Sequence, residues 1–142
     1  GDRVLQAVAR GLKTALREAD LCGRLGGEEF AVLLAGADLH AALQVAEKLR
    51  LAVQALVVPI NDTMLHVTIS VGVAEAGAAC TDLTTLLAQA DAAMYHAKSN
   101  GRNRVHSDST AAHGPCHTLL HEETDASRKQ AGNSNTSIEV ST

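Results

Sequence analysis

The spacing of hydrophobic residues divides the first hundred positions into helical and extended segments. Apolar residues that recur every three or four positions predict amphipathic helices, while alternating apolar residues predict strands. The predicted helices cover 3–19, 39–53 and 82–99. The predicted strands cover 21–25, 29–34, 65–73 and 103–105. This order, with one antiparallel hairpin, predicts an α+β fold in which helices pack on a central mixed sheet.

The segment 65–73 carries the clearest strand pattern. Apolar residues from Leu65 to Val73 alternate with His66, Thr68, Ser70 and Gly72. Because successive side chains of a strand point to opposite faces, the pattern predicts one buried face and one polar face.

After His106 the composition changes to Ser, Thr, Asn, Gly and His, and no hydrophobic period persists. We therefore expect a folded domain over 1–106 and a disordered polar tail over 107–142. His113, His117 and His121 stand four positions apart, which would suit a metal-binding helix face. A disordered polar segment is the favoured interpretation, because nothing around these histidines predicts a core that would orient them.

The composition of the chain limits the kinds of binding partner that can be expected. A net charge of -4 and only two aromatic residues, Phe30 and Tyr95, argue against nucleic-acid binding. Three widely separated cysteines indicate reduced thiols and a cytoplasmic location. A helical pattern begins directly at Gly1-Asp2, so we expect a segment of a longer protein with an upstream sensory domain. Membrane attachment of that parent protein is left open.

The residues Gly26 to Phe30 read Gly-Gly-Glu-Glu-Phe and lie between two predicted strands. A Gly-Gly pair there predicts a tight hairpin turn, since the turn needs positive φ that glycine adopts at little cost. The absence of Cβ atoms would let a ligand approach the backbone, and two carboxylates follow. For this motif alone, an exposed turn with solvated acids is an equally good explanation.

Four segments together resemble the GGDEF-domain diguanylate cyclases over 1–105. The hairpin Arg24–Phe30 resembles the family signature, in a variant with Glu at its third position. Gly1–Leu5 resembles the family's Gly-Asp-x-x-Leu helix start, and Thr68–Ala74 its central strand. Asp91–Asn103 resembles its last helix and the following turn. The resemblance implies a nucleotide-cyclase-like fold that condenses two GTP molecules into cyclic di-GMP and releases two pyrophosphates. A homodimer would present one GTP from each half.

The resemblance also assigns roles to the hairpin residues. Glu28 would be a ligand of Mg²⁺ or Mn²⁺. Glu29 would support catalysis, either beside the metal or by helping to deprotonate the attacking hydroxyl. Gly27 would leave space for the nucleotide.

Three further residues match substrate-binding positions of the family. Asp2 would read the guanine edge, and Lys98 and Arg102 would contact the outer phosphates. Without the resemblance, Lys98 and Arg102 are better explained as a solvated helix end.

Arg17 and Asp20 match the family's Arg-x-x-Asp inhibitory site, at which the product cyclic di-GMP binds. Their i, i+3 spacing would place both on one helix face. Arginine can stack on guanine and pair with phosphate, while aspartate accepts from the guanine edge. The simpler alternative is a local ion pair between them.

One departure from the family bears on activity. The family's first strand, which carries a second metal-binding aspartate, and the helix after it are absent from this sequence. We therefore expect a weaker metal site and a sheet without its first strand. Two functions stay open: a diguanylate cyclase inhibited by its product, or a non-catalytic cyclic di-GMP-binding receptor or interaction module. An unrelated α+β domain with a chance hairpin is a third, weaker interpretation.

Overall fold

The computed structural model describes residues 1–76, 82–107, 118–127 and 137–141. Its elements follow the chain in the order α1 Asp2–Ala15, β1 Leu21–Gly26, β2 Glu29–Leu34, α2 Leu39–Gln54, β3 Val57–Ile60, β4 Thr63–Glu75, α3 Leu83–Ser99, β5 Val105–Ser107, β6 Thr118–Ser127 and β7 Ser137–Ser141. Helices pack on a mixed sheet, so the predicted α+β class is confirmed.

The strands pair in the order β1-β2-β6-β4-β3. All of these neighbours are antiparallel, while β5 adds to β4 in parallel at Val71↔Val105 and β7 pairs with β6. Strand β4 is the longest of the described strands, at 13 residues, and it is paired along both of its sides. The sheet is therefore organised around β4.

Helices α1 and α2 cover one face of this sheet. Their buried residues are Val4, Val8, Leu12, Ala42, Ala46, Leu49 and Val53. These side chains form one cluster with Phe30, Val32 and Leu34 of β2 and with Val67, Ile69, Val71 and Val73 of β4. The spacing of apolar residues along the sequence predicted which side chains belong to this cluster. Burial of their apolar area is the main contribution that stabilises such a domain.

Helix α3 covers the opposite face, and here the prediction of a polar face was wrong. Ser70 is fully buried, and Ala74 packs with Leu86 and Ala90 of α3. In the sequence, this second buried face of β4 is marked only by small residues, which do not produce a hydrophobic period. They are small because the α3 backbone lies close to the strand.

Several elements differ from the prediction, among them β4, which extends two residues farther at each end. Helix α1 ends at Ala15 instead of 19, because Leu16 is extended and the next residues form a side-chain-closed turn. Strand β3 was not predicted, since it is four residues long and contains a proline, Pro59. Pro59 is tolerated there because, among the described strands, β3 pairs only with β4. The last predicted strand begins two residues later, at Val105.

The expectation of a disordered tail does not hold for the two described stretches beyond 107. Strand β6 pairs Leu34↔Thr118 with β2 and Val73↔Leu120 with β4. It therefore lies between β2 and β4 in the sheet, and it satisfies backbone hydrogen-bonding groups of both strands. The domain boundary at 106 remains a prediction. His113 and His117 lie outside the described residues, and His121 falls on β6.

Candidate functional site

The Gly-Gly hairpin forms as predicted. Strands β1 and β2 pair antiparallel at Arg24↔Phe30 and Gly26↔Glu29, and the register shifts between Arg24 and Gly26. Gly27 has φ of 49°, and a Cβ built there would meet no atom of the described residues within 4 Å. Its glycine is therefore required by backbone conformation and leaves open space above the turn.

Arg24 fixes this turn, a role that the sequence analysis did not assign. Its Nε donates to the Gly27 carbonyl oxygen at 2.9 Å, and its Nη2 donates to the same oxygen. A guanidinium fork holds one acceptor in a defined direction, so the peptide that precedes Glu28 is fixed in orientation. The i, i+3 spacing of Arg24 and Gly27 across the turn is the feature of the sequence that could have predicted this contact.

Lys98 lies within electrostatic reach of the two carboxylates of the turn. Burial lowers the pKa of Lys98 to about 8, against the opposing attraction of Asp91, Glu29 and Glu28. Burial also raises the pKa of Glu28 above its ordinary value, opposed by the positive charges of the Gly1 α-amino group and Lys98. Partly buried groups of both signs therefore influence one another between the hairpin turn and the end of α3, an arrangement found at many functional sites.

Arg102 follows α3 in an unusual backbone conformation. Its φ is 62°, and the neighbouring Gly101 and Asn103 also have positive φ, of 115° and 46°. The Arg102 backbone N–H donates to the Ala97 carbonyl at 3.0 Å, which closes the helix end. The structure thus places Arg102 one tight turn beyond Lys98, on the same end of α3.

A cleft of about 460 Å³ separates α1 from β1 and contains Asp2. Its helix wall is formed by Asp2, Leu5, Gln6, Ala9 and Lys13, and its strand wall by Cys22, Gly23, Arg24 and Phe30. The volume of the cleft lies in the range of small-molecule binding sites. Arg24 contributes both to the wall of the cleft and to the hairpin turn. Gln6 and Lys13 are polar lining residues that the sequence analysis did not single out.

Arg17 and Asp20 form a separate pair in the turn between α1 and β1. Arg17 Nη2 lies 3.0 Å from Asp20 Oδ1, and Asp20 Oδ2 accepts from the Arg17 backbone N–H at 2.9 Å. The Arg17 side chain is 64% exposed and that of Asp20 only 1%. The two residues share a turn and not a helix face, which corrects the prediction. The six-residue strand β1 separates them from the Gly-Gly turn.

A metal site made by protein side chains alone is not present among the described residues, which contain no group of three His, Cys, Asp or Glu side chains suited to a metal ion. The turn offers Glu28 and Glu29. Mg²⁺ commonly takes one or two carboxylates and completes its shell with water and substrate phosphates. The donor set therefore fits a metal that arrives with a nucleotide. None of the described helices is long and apolar enough to cross a bilayer.

The chain is thus an α+β domain with a carboxylate-bearing glycine hairpin. The model of the family described as diguanylate cyclase, GGDEF domain, matches residues 1–104. The chain belongs to this family.

Known relatives agree with this assignment. Diguanylate cyclase A of Treponema denticola is 40% identical over 105 residues, which are 74% of this chain and 28% of that protein. Diguanylate cyclase DgcP of Pseudomonas aeruginosa is 40% identical over 110 residues, which are 74% of this chain and 16% of that protein. The chain thus spans less than a third of the length of either relative.

Solved structures are similar over the same region. Diguanylate cyclase SiaD of Pseudomonas aeruginosa, solved in complex with its activator SiaC, superposes with a TM-score of 0.71 and 42% identity. That match covers 75% of this chain and 40% of SiaD. The active GGEEF domain of a diguanylate cyclase from Vibrio cholerae gives a TM-score of 0.66 at 26% identity, over 78% of this chain and 69% of that one.

Proposed function

We propose that this chain is the catalytic portion of a diguanylate cyclase, which binds one GTP per protomer and condenses two of them into cyclic di-GMP across a homodimer. The observation that carries the proposal is the hairpin turn, in which Arg24 holds the Gly27 carbonyl directly before Glu28 and Glu29, within electrostatic reach of Lys98. A half-buried cation and two carboxylates around an exposed glycine turn suit a metal-bound triphosphate better than they suit a solvated surface.

The nucleotide would lie along the cleft and over the turn. Asp2, at the cleft wall, would accept from N1–H and N2–H of guanine, which selects guanine over adenine. Lys98 and Arg102 would hold the outer phosphates from the end of α3. Arg24 would keep the Gly27 peptide in place, so that the phosphates approach a fixed backbone.

The reaction that these residues would support is attack of the 3′-hydroxyl of one GTP on the α-phosphate of the other. The new 3′-O–P bond forms as the bond between the α- and β-phosphates breaks, and pyrophosphate leaves. Two such attacks close the ring. Glu28 would hold Mg²⁺ or Mn²⁺, which neutralises phosphate charge when bound. Glu29 would act beside it or take the proton of the attacking hydroxyl.

Turnover tests this proposal directly. The purified chain is incubated with GTP and Mg²⁺, and cyclic di-GMP and pyrophosphate are quantified by chromatography. With the family's first strand restored upstream, we expect product from the unsubstituted chain, none from Glu29→Ala, and unchanged product from Glu18→Ala, an exposed carboxylate outside the hairpin. Unchanged circular dichroism must show that each variant folds. Retained turnover in Glu29→Ala would refute its catalytic role.

A second function, that of a non-catalytic receptor for cyclic di-GMP, is favoured by one observation. Arg17 is largely exposed while its partner Asp20 is buried, so the guanidinium can leave the ion pair and stack on a ligand while the carboxylate stays in place. The same site would give product inhibition in the enzyme. No turnover, together with cyclic di-GMP binding that Arg17→Ala abolishes, would decide for the receptor.

A further inference from the structure

Helix α2 carries an arginine that reaches the turn after α3. Arg50 Nη1 donates to Asn103 Oδ1 at 2.8 Å, although the two residues are 53 positions apart in the sequence. The Arg50 side chain is only 14% exposed. Because the two residues are so far apart in the sequence, only the tertiary fold can bring their side chains together.

The guanidinium of Arg50 is held by its own helix. Glu47 Oε2 accepts from Arg50 Nε at 2.9 Å, and Glu47 Oε1 accepts from Nη2. Gln54 Oε1 accepts from Nη1 at 2.8 Å. Hydrogen bonds from Arg50 lower the pKa of Glu47 below its ordinary value, as expected for a charged pair. Asn103 therefore meets a donor whose position is already fixed.

The turn that receives this contact is strained. Arg102 has φ of 62°, a region that costs free energy for a residue with a β-carbon and persists where surrounding contacts impose it. Its backbone N–H is tied to Ala97, and its carbonyl accepts from Arg104 Nε at 3.2 Å. Asn103, at φ of 46°, is the next residue, and Arg50 fixes its side chain. The contact from α2 thus acts on the residue that follows Arg102.

We propose that Arg50 is a positioning residue that, through Asn103, holds the left-handed turn which presents Arg102 to the outer phosphates of the nucleotide. The inference rests on the proposed function, because it concerns the same phosphate-binding end of the site. Arg50 acts from the far side of the turn and does not itself touch the nucleotide. Its loss therefore weakens recognition of the β- and γ-phosphates and leaves recognition of the base intact.

A purely structural tie between α2 and the start of β5 would predict a different outcome. If the contact were only such a tie, its loss would lower the stability of the domain, or would lower the affinity for all ligands equally, whatever their number of phosphates. The comparison of GTP with GMP separates the two explanations, since GMP carries the same base and sugar and lacks the outer phosphates.

The experiment measures GTP and GMP affinities by calorimetry for the parent chain and for Arg50→Gln, Asn103→Gly and Arg10→Gln. We expect GTP affinity to fall about fivefold to tenfold in Arg50→Gln and in Asn103→Gly, with GMP affinity changed less than about twofold. Glycine keeps the positive φ accessible, so Asn103→Gly removes the acceptor without adding strain. Arg10→Gln, on the exposed surface of α1, should change neither affinity.

Asn103→Asp supplies the matched rescue, because it keeps an oxygen at the same place for Arg50. It should retain GTP affinity within about twofold of the parent chain. Equal weakening of GTP and GMP, or no weakening of GTP, would overturn the proposal. So would parent-like GTP binding in Asn103→Gly.

A measurement without nucleotide separates failure of this inference from failure of the proposed function. Scalar couplings and carbon chemical shifts in the NMR spectrum report the sign of φ at 102 and 103. We expect positive φ at both positions in the parent chain and a mixture of signs in Arg50→Gln. Positive φ retained in Arg50→Gln would overturn the positioning role, even if the parent chain proved unable to bind GTP.

Discussion

Gly72 of β4 lies so close to Ala90 of α3 that a β-carbon at position 72 would stand 2.1 Å from the Ala90 carbonyl oxygen. The same β-carbon would stand 2.3 Å from the Met94 backbone nitrogen. Both atoms belong to the helix backbone and cannot rotate away. This close approach fixes the height of α3 above the sheet, and α3 carries Lys98 to the hairpin turn.

Replacement of Gly72 by alanine should therefore destabilise the fold. α3 would have to move away from the sheet, and overpacking of this kind costs about 3 kcal/mol. Chemical denaturation measures the loss in the free energy of unfolding. Gly23→Ala is the matched control, since no atom lies within 4 Å of a β-carbon there, and a change below about 1 kcal/mol is expected. Equal effects of the two variants would contradict the close contact.

The depressed pKa of Lys98 predicts pH-dependent nucleotide binding. With a pKa of about 8 in the free protein, Lys98 is mostly protonated at neutral pH and loses its charge as the pH rises through 8. Affinity for GTP should fall about tenfold from about pH 7 to about pH 9, because the phosphates lose a charged donor. Lys98→Arg keeps its charge throughout, so its affinity should be flat over this range. A parallel decline in both proteins would assign the titration to another group.

Loss of the Arg24 fork should loosen the hairpin turn locally. Arg24→Gln removes both donors to the Gly27 carbonyl, while the strand pairing beyond the turn is unchanged. We expect faster amide hydrogen exchange at Gly27 and Glu28, a lower kcat and a change in overall stability of only about 1 kcal/mol. Unchanged exchange at the turn would show that the fork is dispensable. Exchange at Val32, farther along β2, serves as the internal control.

Removal of β6 should destabilise the sheet more than removal of β7. Strand β6 is the only described connection between β2 and β4 within the sheet. A chain ending at Ser107 leaves both strands with an unpaired edge, whereas a chain ending at Ser127 keeps β6 and loses only β7. We expect a lower midpoint of thermal unfolding for the shorter chain and little change for the longer one. Equal midpoints would mean that β6 adds nothing to the stability of the sheet.

Substitution of Arg17, the partner of Asp20, should weaken inhibition by the product at the proposed product-binding site. Arg17→Ala removes the stacking and phosphate-binding group, while Asp20 keeps the hydrogen bond from the backbone N–H of residue 17. The inhibition constant for cyclic di-GMP should rise about tenfold or more, with the rate in the absence of product unchanged. Arg10→Ala, an exposed cation of α1 that lies outside this turn and outside the cleft lining, should leave inhibition unaltered. Unchanged inhibition in Arg17→Ala would assign product binding elsewhere.

Local signals in the sequence accounted for much of the fold. Asp38 accepts from the Ala41 N–H at 2.8 Å and Asp82 from the Thr85 N–H at 2.7 Å, so a local side-chain cap starts both helices close to their predicted first residues. The Gly26-Gly27 turn likewise follows from its own backbone requirement. Each of these depends on residues within four positions of one another, and for that reason can be read from the sequence.

The misplaced elements had weak or misleading local signals. Strand β3 is four residues long, contains Pro59, and is held by pairing with β4 across a turn in which Asn61 has φ of 53°. The second buried face of β4 is marked only by small residues such as Gly72. Strand β6 pairs with residues 43 to 94 positions earlier in the chain, from Glu75↔Thr118 to Glu29↔Glu123. No periodicity reports a contact of that range.

The sequence by itself determined the hairpin, the three helices and the class of fold. These follow from local backbone preferences and from the periods with which helices and strands bury apolar side chains. Only the tertiary structure decided that Lys98 lies within electrostatic reach of Glu28 and Glu29, that Arg24 holds Gly27, and that Arg50 reaches Asn103. The burial that shifts the pKa of Lys98 and the direction of each hydrogen bond arise when elements distant in sequence pack together.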